Sequence, residues 1–399
     1  MESAKYIKML DIYGDCVEAD NSDESINNPK TQLPPHPIEP TITTGDEKIN
    51  KPIMFHELPI QEKVSHKRII GKAGIGKSTH ISDNYLYHDY LLLSYTRIAA
   101  SQINGTTISS AFQLGRINDN PVKTCISRMK WFTKHIVEHI QLAKGLVIDE
   151  FYTVPGAVMI KVDVICQVLR ESKEPFGGMQ LILVGDDRQT ESIDAAFIDT
   201  ELYKGLEFDE VMLEEHPQMR LTAEYMKFCD MFRNPKLNRD KMIRLLKNAK
   251  FAQEELKDAY NVYYTNKEVN DRNKRGMQTF EGEVVYKRGQ LEYRKDCPIR
   301  IKSNWGTLCN GMMGFIRGKN GRKIIIEVEK KIHEIAPSQV DFTPGFATTI
   351  HVCQSKTWPG INVYIHKKDI YKDRAKYVRL IYVALTRVRH FDKCYIQVI

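Results

Sequence analysis

The sequence predicts an α/β protein made of two parallel-sheet units, with a small β-rich piece inserted in the second. Three observations carry this. A glycine loop, Gly71-Lys72-Ala73-Gly74-Ile75-Gly76-Lys77-Ser78-Thr79, stands between the short apolar run Arg68-Ile69-Ile70 and the helix-compatible stretch His80–Asn84. From about residue 55, short apolar runs alternate with helix-like segments, the pattern of a parallel sheet with crossover helices. A second alternation runs from about 201 to the C-terminus, interrupted over 278–345 by short β-prone pieces with glycine turns.

Taken in order, residues 1–14 are compatible with a short helix. Residues 18–50 are polar and carry Pro29, Pro34, Pro35, Pro37 and Pro40, so residues 1–50 are expected to be a disordered acidic arm or linker. The first unit is expected over 51–200. Its strands are Lys67–Ile70, Tyr90–Ser94, Gly145–Ile148 and Gln180–Val184, and Ala99–Asn104, Val122–Leu142 and Val158–Arg170 are helix-like. The second unit, 201–399, takes Ala259–Tyr264, Ile361–Ile365, Leu380–Ala384 and Lys393–Val398 as strands. Within it, Glu283–Tyr286, Ile299–Lys302, Met313–Arg317 and Arg322–Val328 are expected to form a small barrel-like insertion.

At 399 residues the chain has room for two domains. No apolar run approaches the roughly 20 residues that span a bilayer, and no secretory signal stands at the N-terminus. The eight cysteines are scattered without a C-x-x-C pair, which argues against a zinc site or a disulfide framework and for a reducing, intracellular compartment. Ten acids against four bases put residues 1–50 at −6. The remainder, from a net charge of +7, stands at +13, a balance suited to a polyanion such as nucleic acid.

The glycine loop fits the pattern G-x-x-x-x-G-K-[ST] in the order strand, loop, helix. Its glycines let backbone N–H groups close around a phosphate, and the helix start adds its positive end. Lys77 reaches the outer phosphates, and the Ser78 hydroxyl is suited to Mg²⁺. These features point to a nucleoside triphosphate. Leu146-Val147-Ile148 ends in Asp149-Glu150, an apolar strand presenting one carboxylate to Mg²⁺ and a second to an attacking water. Leu181–Val184 runs into Gly185-Asp186-Asp187-Arg188-Gln189, where a neutral donor–acceptor side chain is placed to sense a γ-phosphate.

Set in order, these segments resemble the motifs of superfamily 1 helicases, in particular the RecD-like and Pif-type group (1B), over residues 60–399. Thr96–Ala100 through Ile103–Ile108 and Phe112 is similar to motifs Ia and Ib. Asp149-Glu150 falls at motif II, and Gly185-Asp186 with Gln189 at motif III. Arg220 in His216-Pro217-Gln218-Met219-Arg220 resembles the motif IV arginine. Tyr263–Lys267 with Val269 and Asn273 resembles the group's T-N-x-x-V-x-x-x-N signature. Cys309–Gly314 is similar to the N-G-x-x-G turn of its β-barrel insertion. Thr349–His351 with Gln354–Thr357 resembles motif V, and Tyr382–Arg389 motif VI. The Thr-Arg-Ile-Ala-Ala wording is also similar to the helicase subunit of herpesvirus-type helicase–primase, which points toward a large DNA virus.

The resemblance implies two RecA-like domains with ATP between them. Gly71, Ala73, Gly74, Ile75, Gly76, Lys77, Ser78 and Thr79 would cradle it, and Gln61 would read the adenine. Ser78 and Asp149 would hold Mg²⁺. Lys77, Asp149, Glu150, Gln189, Arg220 and Arg387 would carry the chemistry. Single-stranded DNA would lie across Thr96, Arg97, Thr107, Phe112, Thr265, Asn266, His351 and Lys356, with 5′-to-3′ movement and unwinding of forked or tailed duplex. The nucleus, a viral replication site or the cytoplasm would be its place of action. Three departures bear on the coupling of hydrolysis to movement. Ser109 stands where these helicases have histidine, Gln189-Thr190-Glu191-Ser192 lacks the leucine–proline run, and Ser355 replaces a glycine. Two other readings fit the same motifs: an RNA helicase, and a non-motor ATPase subunit of a replication complex.

Overall fold

The computed structural model describes residues 64–114, 129, 132–189, 195–214, 221–234, 236–257, 259–354 and 357–399. The expected N-terminal helix and arm, Gln61, Arg220, Lys356 and most of the first half of the expected Val122–Leu142 helix lie outside them.

The first half follows the order β1 (His66–Ile70), α1 (Lys77–Asn84), β2 (Tyr90–Ser94), α2 (Arg97–Gln102), β3 (Thr106–Thr107), α3 (Ile108–Ala111), α4 (Lys134–Leu142), β4 (Gly145–Asp149), α5 (Gly156–Leu169), β5 (Gln180–Gly185), α6 (Glu201–Lys204) and β6 (Phe208–Met212). Its six strands form one parallel sheet in the order β3-β2-β4-β5-β1-β6. Both faces are covered, so the central strands read as continuous apolar runs. Leu93, Leu146, Ile148 and Leu183 pack on one side; Ile69, Leu92, Val147 and Ile182 pack on the other. β6 pairs with β1 from His66↔Phe208 to Ile70↔Met212, so this half extends past the boundary expected at 200.

The second half continues with α7 (Ala223–Asp230), α8 (Arg239–Asn248), β7 (Tyr260–Tyr263) and α9 (Asn266–Thr279). After the insertion come β15 (Ala347–Thr349), β16 (Ile361–Ile365), α10 (Lys367–Lys372), α11 (Arg374–Leu385) and β17 (Cys394–Val398). Its sheet is parallel in the order β15-β7-β16-β17. Leu380–Ala384, expected as a strand, is instead the last part of α11, whose start is capped by Asp373. Every residue from Leu380 to Leu385 is buried, and a helix buried on all sides has the same unbroken apolar run as a core strand.

The insertion comprises β8 (Val284–Arg288), β9 (Leu291–Arg294), β10 (Pro298–Ile301), β11 (Met313–Asn320), β12 (Lys323–Val328), β13 (Lys331–Ile335) and β14 (Phe342–Pro344). The expected barrel-like closure is not found: β13-β12-β11-β10-β14 is an open antiparallel sheet, and β8-β9 is a separate hairpin. Ile98 of α2 belongs to the insertion's apolar core with Ile299, Ile301 and Met312. At Gly311, with φ +93°, an added Cβ would lie 3.2 Å from the Ile98 Cδ1 atom. A small residue with left-handed freedom therefore lets this turn seat against α2. Among the described residues no helix is long and apolar enough to cross a membrane.

Candidate nucleotide site and strand groove

The candidate site lies at the carboxyl ends of the first sheet's strands, where α/β sheets place ligands. The loop after β1 turns through Gly74 (φ +79°) and Gly76 (φ +106°), conformations that favour glycine. Gly76 is the N-cap of α1 with no capping side chain, so Lys77, Ser78 and Thr79 form the helix's first turn. Lys77 Nζ donates to the carbonyls of Gly71 (2.9 Å) and Lys72 (3.0 Å), which folds the lysine back over its own loop.

β4 delivers the acid pair. Glu150 sits in the left-handed region (φ 55°, ψ 39°), an uncommon place for a side chain of its size, and this turn ends the strand. Its N–H donates to Asp149 Oδ1 at 2.9 Å, and both residues line the same cleft. Burial pushes the Asp149 carboxyl up to about 7, with the Glu150 charge adding to the rise and Lys77 opposing it.

The cleft encloses about 230 Å³ and is lined by Gly74, Gly76, Lys77, Ser78, Thr79, Asp149, Glu150, Gln189 and Arg387, together with Ala73 and Gln102. Arg387, from the turn after α11, is almost wholly buried. Its Nε donates to Val383 O (2.8 Å) and its Nη2 to Thr386 Oγ1 (2.8 Å). Burial lowers its proton affinity, and the Glu150 carboxylate pulls it back up. Gln189 receives a hydrogen bond from Gln354 Nε2 at 3.4 Å, joining the turn after β5 to the second half. The cleft therefore brings together Lys77, Ser78, Thr79, Asp149, Glu150, Gln189 and Arg387 from positions spread over three hundred residues. Gly71 and Ile75 sit behind it as buried loop residues.

The structure also gives roles to residues to which the motifs assigned none. Tyr382 of α11 sits at the meeting point: its hydroxyl accepts from Ala73 N–H (3.1 Å) and Arg233 Nη1 (3.0 Å) and donates to Asp186 Oδ2 (2.8 Å). Arg233 also donates to Asp186 Oδ1 (2.7 Å) and Asp187 Oδ1 (2.8 Å). Lys72 bonds Asp230 at 2.6 Å, and Gln102 closes the cleft's edge. Nothing in the sequence marks Arg233. Its acidic partners lie 46 and 47 positions away, and only the fold brings them to it.

The candidate strand contacts divide. Arg97 and Thr107 line a groove of about 650 Å³ between α2–α3 and the insertion, facing Thr307, Lys331 and His333. Arg97 Nη2 donates to Gly306 O at 2.7 Å. Thr96, Thr107 and Thr265 are helix N-caps, accepting from the N–H groups of Ala99, Ser110 and Glu268. Thr265 is further engaged in a capping box with Glu268, its hydroxyl donating to Oε2 at 2.6 Å. Asn266 is exposed beside it, and His351 is half-buried after β15, its imidazole pKa lowered by burial and by Lys376. Phe112 is a correction. It is wholly buried in the first half's core, so no face is available for stacking on a base. An aromatic after a polar helix turn has the same local signature in either role.

The buried Asp149 carboxylate, its charge disfavoured by burial and by a second acid, fits a divalent cation, and the Ser78 hydroxyl shares its cleft. This is the sparse donor set typical of Mg²⁺ held with substrate phosphates.

Residues 66–199 match the family model of the PIF1-like helicase. Over these residues the chain resembles PIF1-like helicases. It is 30% identical over 153 residues to ATP-dependent DNA helicase PIF1 of Danio rerio, covering 34% of this chain and 23% of that protein. It is 33% identical over 124 residues to ATP-dependent DNA helicase Pif1 of Bdellovibrio bacteriovorus, covering 30% and 28%. The aligned part thus spans about a quarter of these relatives' length. The fold is that of the Bacteroides Pif1 helicase solved with ADP-AlF3 and single-stranded DNA, at a TM-score of 0.62 and 19% identity over 85% of this chain and 90% of that one. The Pif1-type likeness in structure thus extends well beyond residues 66–199.

Proposed function

We propose that this protein is an ATP-dependent DNA helicase that moves 5′ to 3′ along single-stranded DNA and unwinds forked or tailed duplex. One observation carries the reading: a phosphate-binding loop and an acid pair on one sheet face a buried arginine, Arg387, contributed by the other half. Turnover then depends on the two halves meeting, which is what a motor requires. Relatives named as ATP-dependent DNA helicases, and a similar fold solved with single-stranded DNA, support the choice of DNA.

In this reading the loop N–H groups and Lys77 hold the phosphates of ATP. Asp149 and Ser78 hold Mg²⁺, which when bound neutralises phosphate charge. Glu150 orients and deprotonates the attacking water. Arg387, with Arg220 as the resemblance assigns it, stabilises charge spreading over the phosphate oxygens. Gln189 senses the outer phosphate and passes its loss to Gln354. The groove holding Arg97 and Thr107, with Asn266, His351 and Lys356, grips the strand's phosphates without reading its sequence.

Strand separation on duplexes with a 5′ or a 3′ single-stranded tail tests this. Unwinding of the 5′-tailed duplex alone, dependent on ATP, is expected. Hydrolysis without unwinding of either substrate points to a non-motor subunit, and preference for RNA tails to an RNA helicase.

A further inference from the structure

The two halves touch at the cleft through a small set of polar contacts. On the first half's side they include contacts from two loops, the glycine loop and the turn after β5. Both loops line the nucleotide cleft. Ala73 also enters the second half's apolar core, among Tyr382, Leu385 and Phe232. Whatever moves those loops against a phosphate therefore moves the second half directly.

We propose that Tyr382 and Arg233 form a latch that converts nucleotide occupancy into closure of the two halves. Both are positioning residues; neither lines the nucleotide cleft. The Tyr382 hydroxyl has one donor and two acceptor positions, and all three are filled by groups on different elements: the glycine loop, the turn after β5 and the short helical turn Met231–Arg233. Arg233 spans two carboxylates on the same turn and lies 5.4 Å from the centre of the Tyr382 ring. Its guanidinium is held more firmly charged than usual, Asp186 and Tyr382 outweighing the effect of burial. Asp186 has no exposed side-chain surface, and Arg233 and Tyr382 both bond its carboxylate. Such a fully satisfied network holds one arrangement and loses several bonds together when one loop shifts. Gln189, on the same turn as Asp186, is 3.5 Å from it through its Nε2 and is thereby tied to the latch.

The latch rests on the cleft being a nucleotide site and is independent of the DNA reading. The test uses the full chain carrying one dye on each half, with the non-hydrolysable analogue AMP-PNP and Mg²⁺ as the probe. In the unmodified protein the analogue is expected to shift energy transfer toward the closed form. Tyr382→Phe, which removes one oxygen and keeps the ring, and Arg233→Lys, which keeps the charge and loses the fork, are expected to bind the analogue within about threefold of wild type. Each should show less than half the closure shift, and kcat should fall about tenfold with KM for ATP little changed. Full closure in both variants overturns the latch. So does a parallel loss of analogue affinity and turnover, which would mean the network only builds the glycine loop. Absence of analogue binding by the unmodified protein overturns the nucleotide site itself and is seen before any variant is compared. DNA stimulation is measured separately and bears only on the motor reading.

Discussion

Lys77→Ala abolishes ATP turnover while leaving the fold intact. Lys77 is half-buried at the first turn of α1, and its described hydrogen bonds go to two carbonyls of its own loop. Lys77 belongs to none of the apolar core clusters, so the fold is expected to persist without it. The cost to chemistry is large, because among the described residues no other lysine lines the 230 Å³ cleft. A positioned donor of this kind contributes at least about 100-fold in rate. Turnover measured beside a thermal melt checks both parts. Unchanged turnover would mean that this loop does not hold the reacting phosphates.

Arg387→Ala retains ATP binding and loses turnover by about a thousandfold, the low end for an arginine facing a transferring phosphate. The loop's backbone and Lys77 hold ATP without it, whereas the charge that builds up in the transition state meets Arg387 across the cleft. Its burial makes that charge more effective than on the surface, since water is not there to screen it. Nucleotide affinity by titration and kcat by steady-state kinetics separate the two roles. An equal loss of both would make Arg387 a structural residue held by Val383 and Thr386. Arg387→Lys keeps the charge without the forked donors and is expected to recover only part of the rate.

Local signals were enough for the glycine loop, the acid pair after β4 and most strand positions. Each has a short-range pattern: glycines at fixed spacing, or an apolar run ending in carboxylates. The residues that were misread have patterns shared by two structures. Leu380–Ala384 is an unbroken apolar run, which a core strand and the buried helix it forms share. Phe112 follows a helix turn and packs inward. β6 lies past the expected boundary because its pairing with β1 joins residues 142 positions apart, His66 with Phe208. Arg233 and Tyr382 were not legible as a pair at all. Their 149-residue separation is closed within the second half, where α11 packs against the turn Met231–Arg233, and no local pattern encodes it. The three threonines read as strand contacts sit at helix starts, where hydroxyls are favoured as caps irrespective of any ligand.

In the proposed motor, a DNA strand drives hydrolysis in this cleft. This is tested most directly by ATP turnover of the purified protein with and without single-stranded DNA, with Lys77→Ala as the blank. Single-stranded DNA is expected to raise turnover at least about tenfold, with the Lys77→Ala protein at background in both conditions. Turnover that the blank abolishes but DNA leaves unchanged would contradict the proposal.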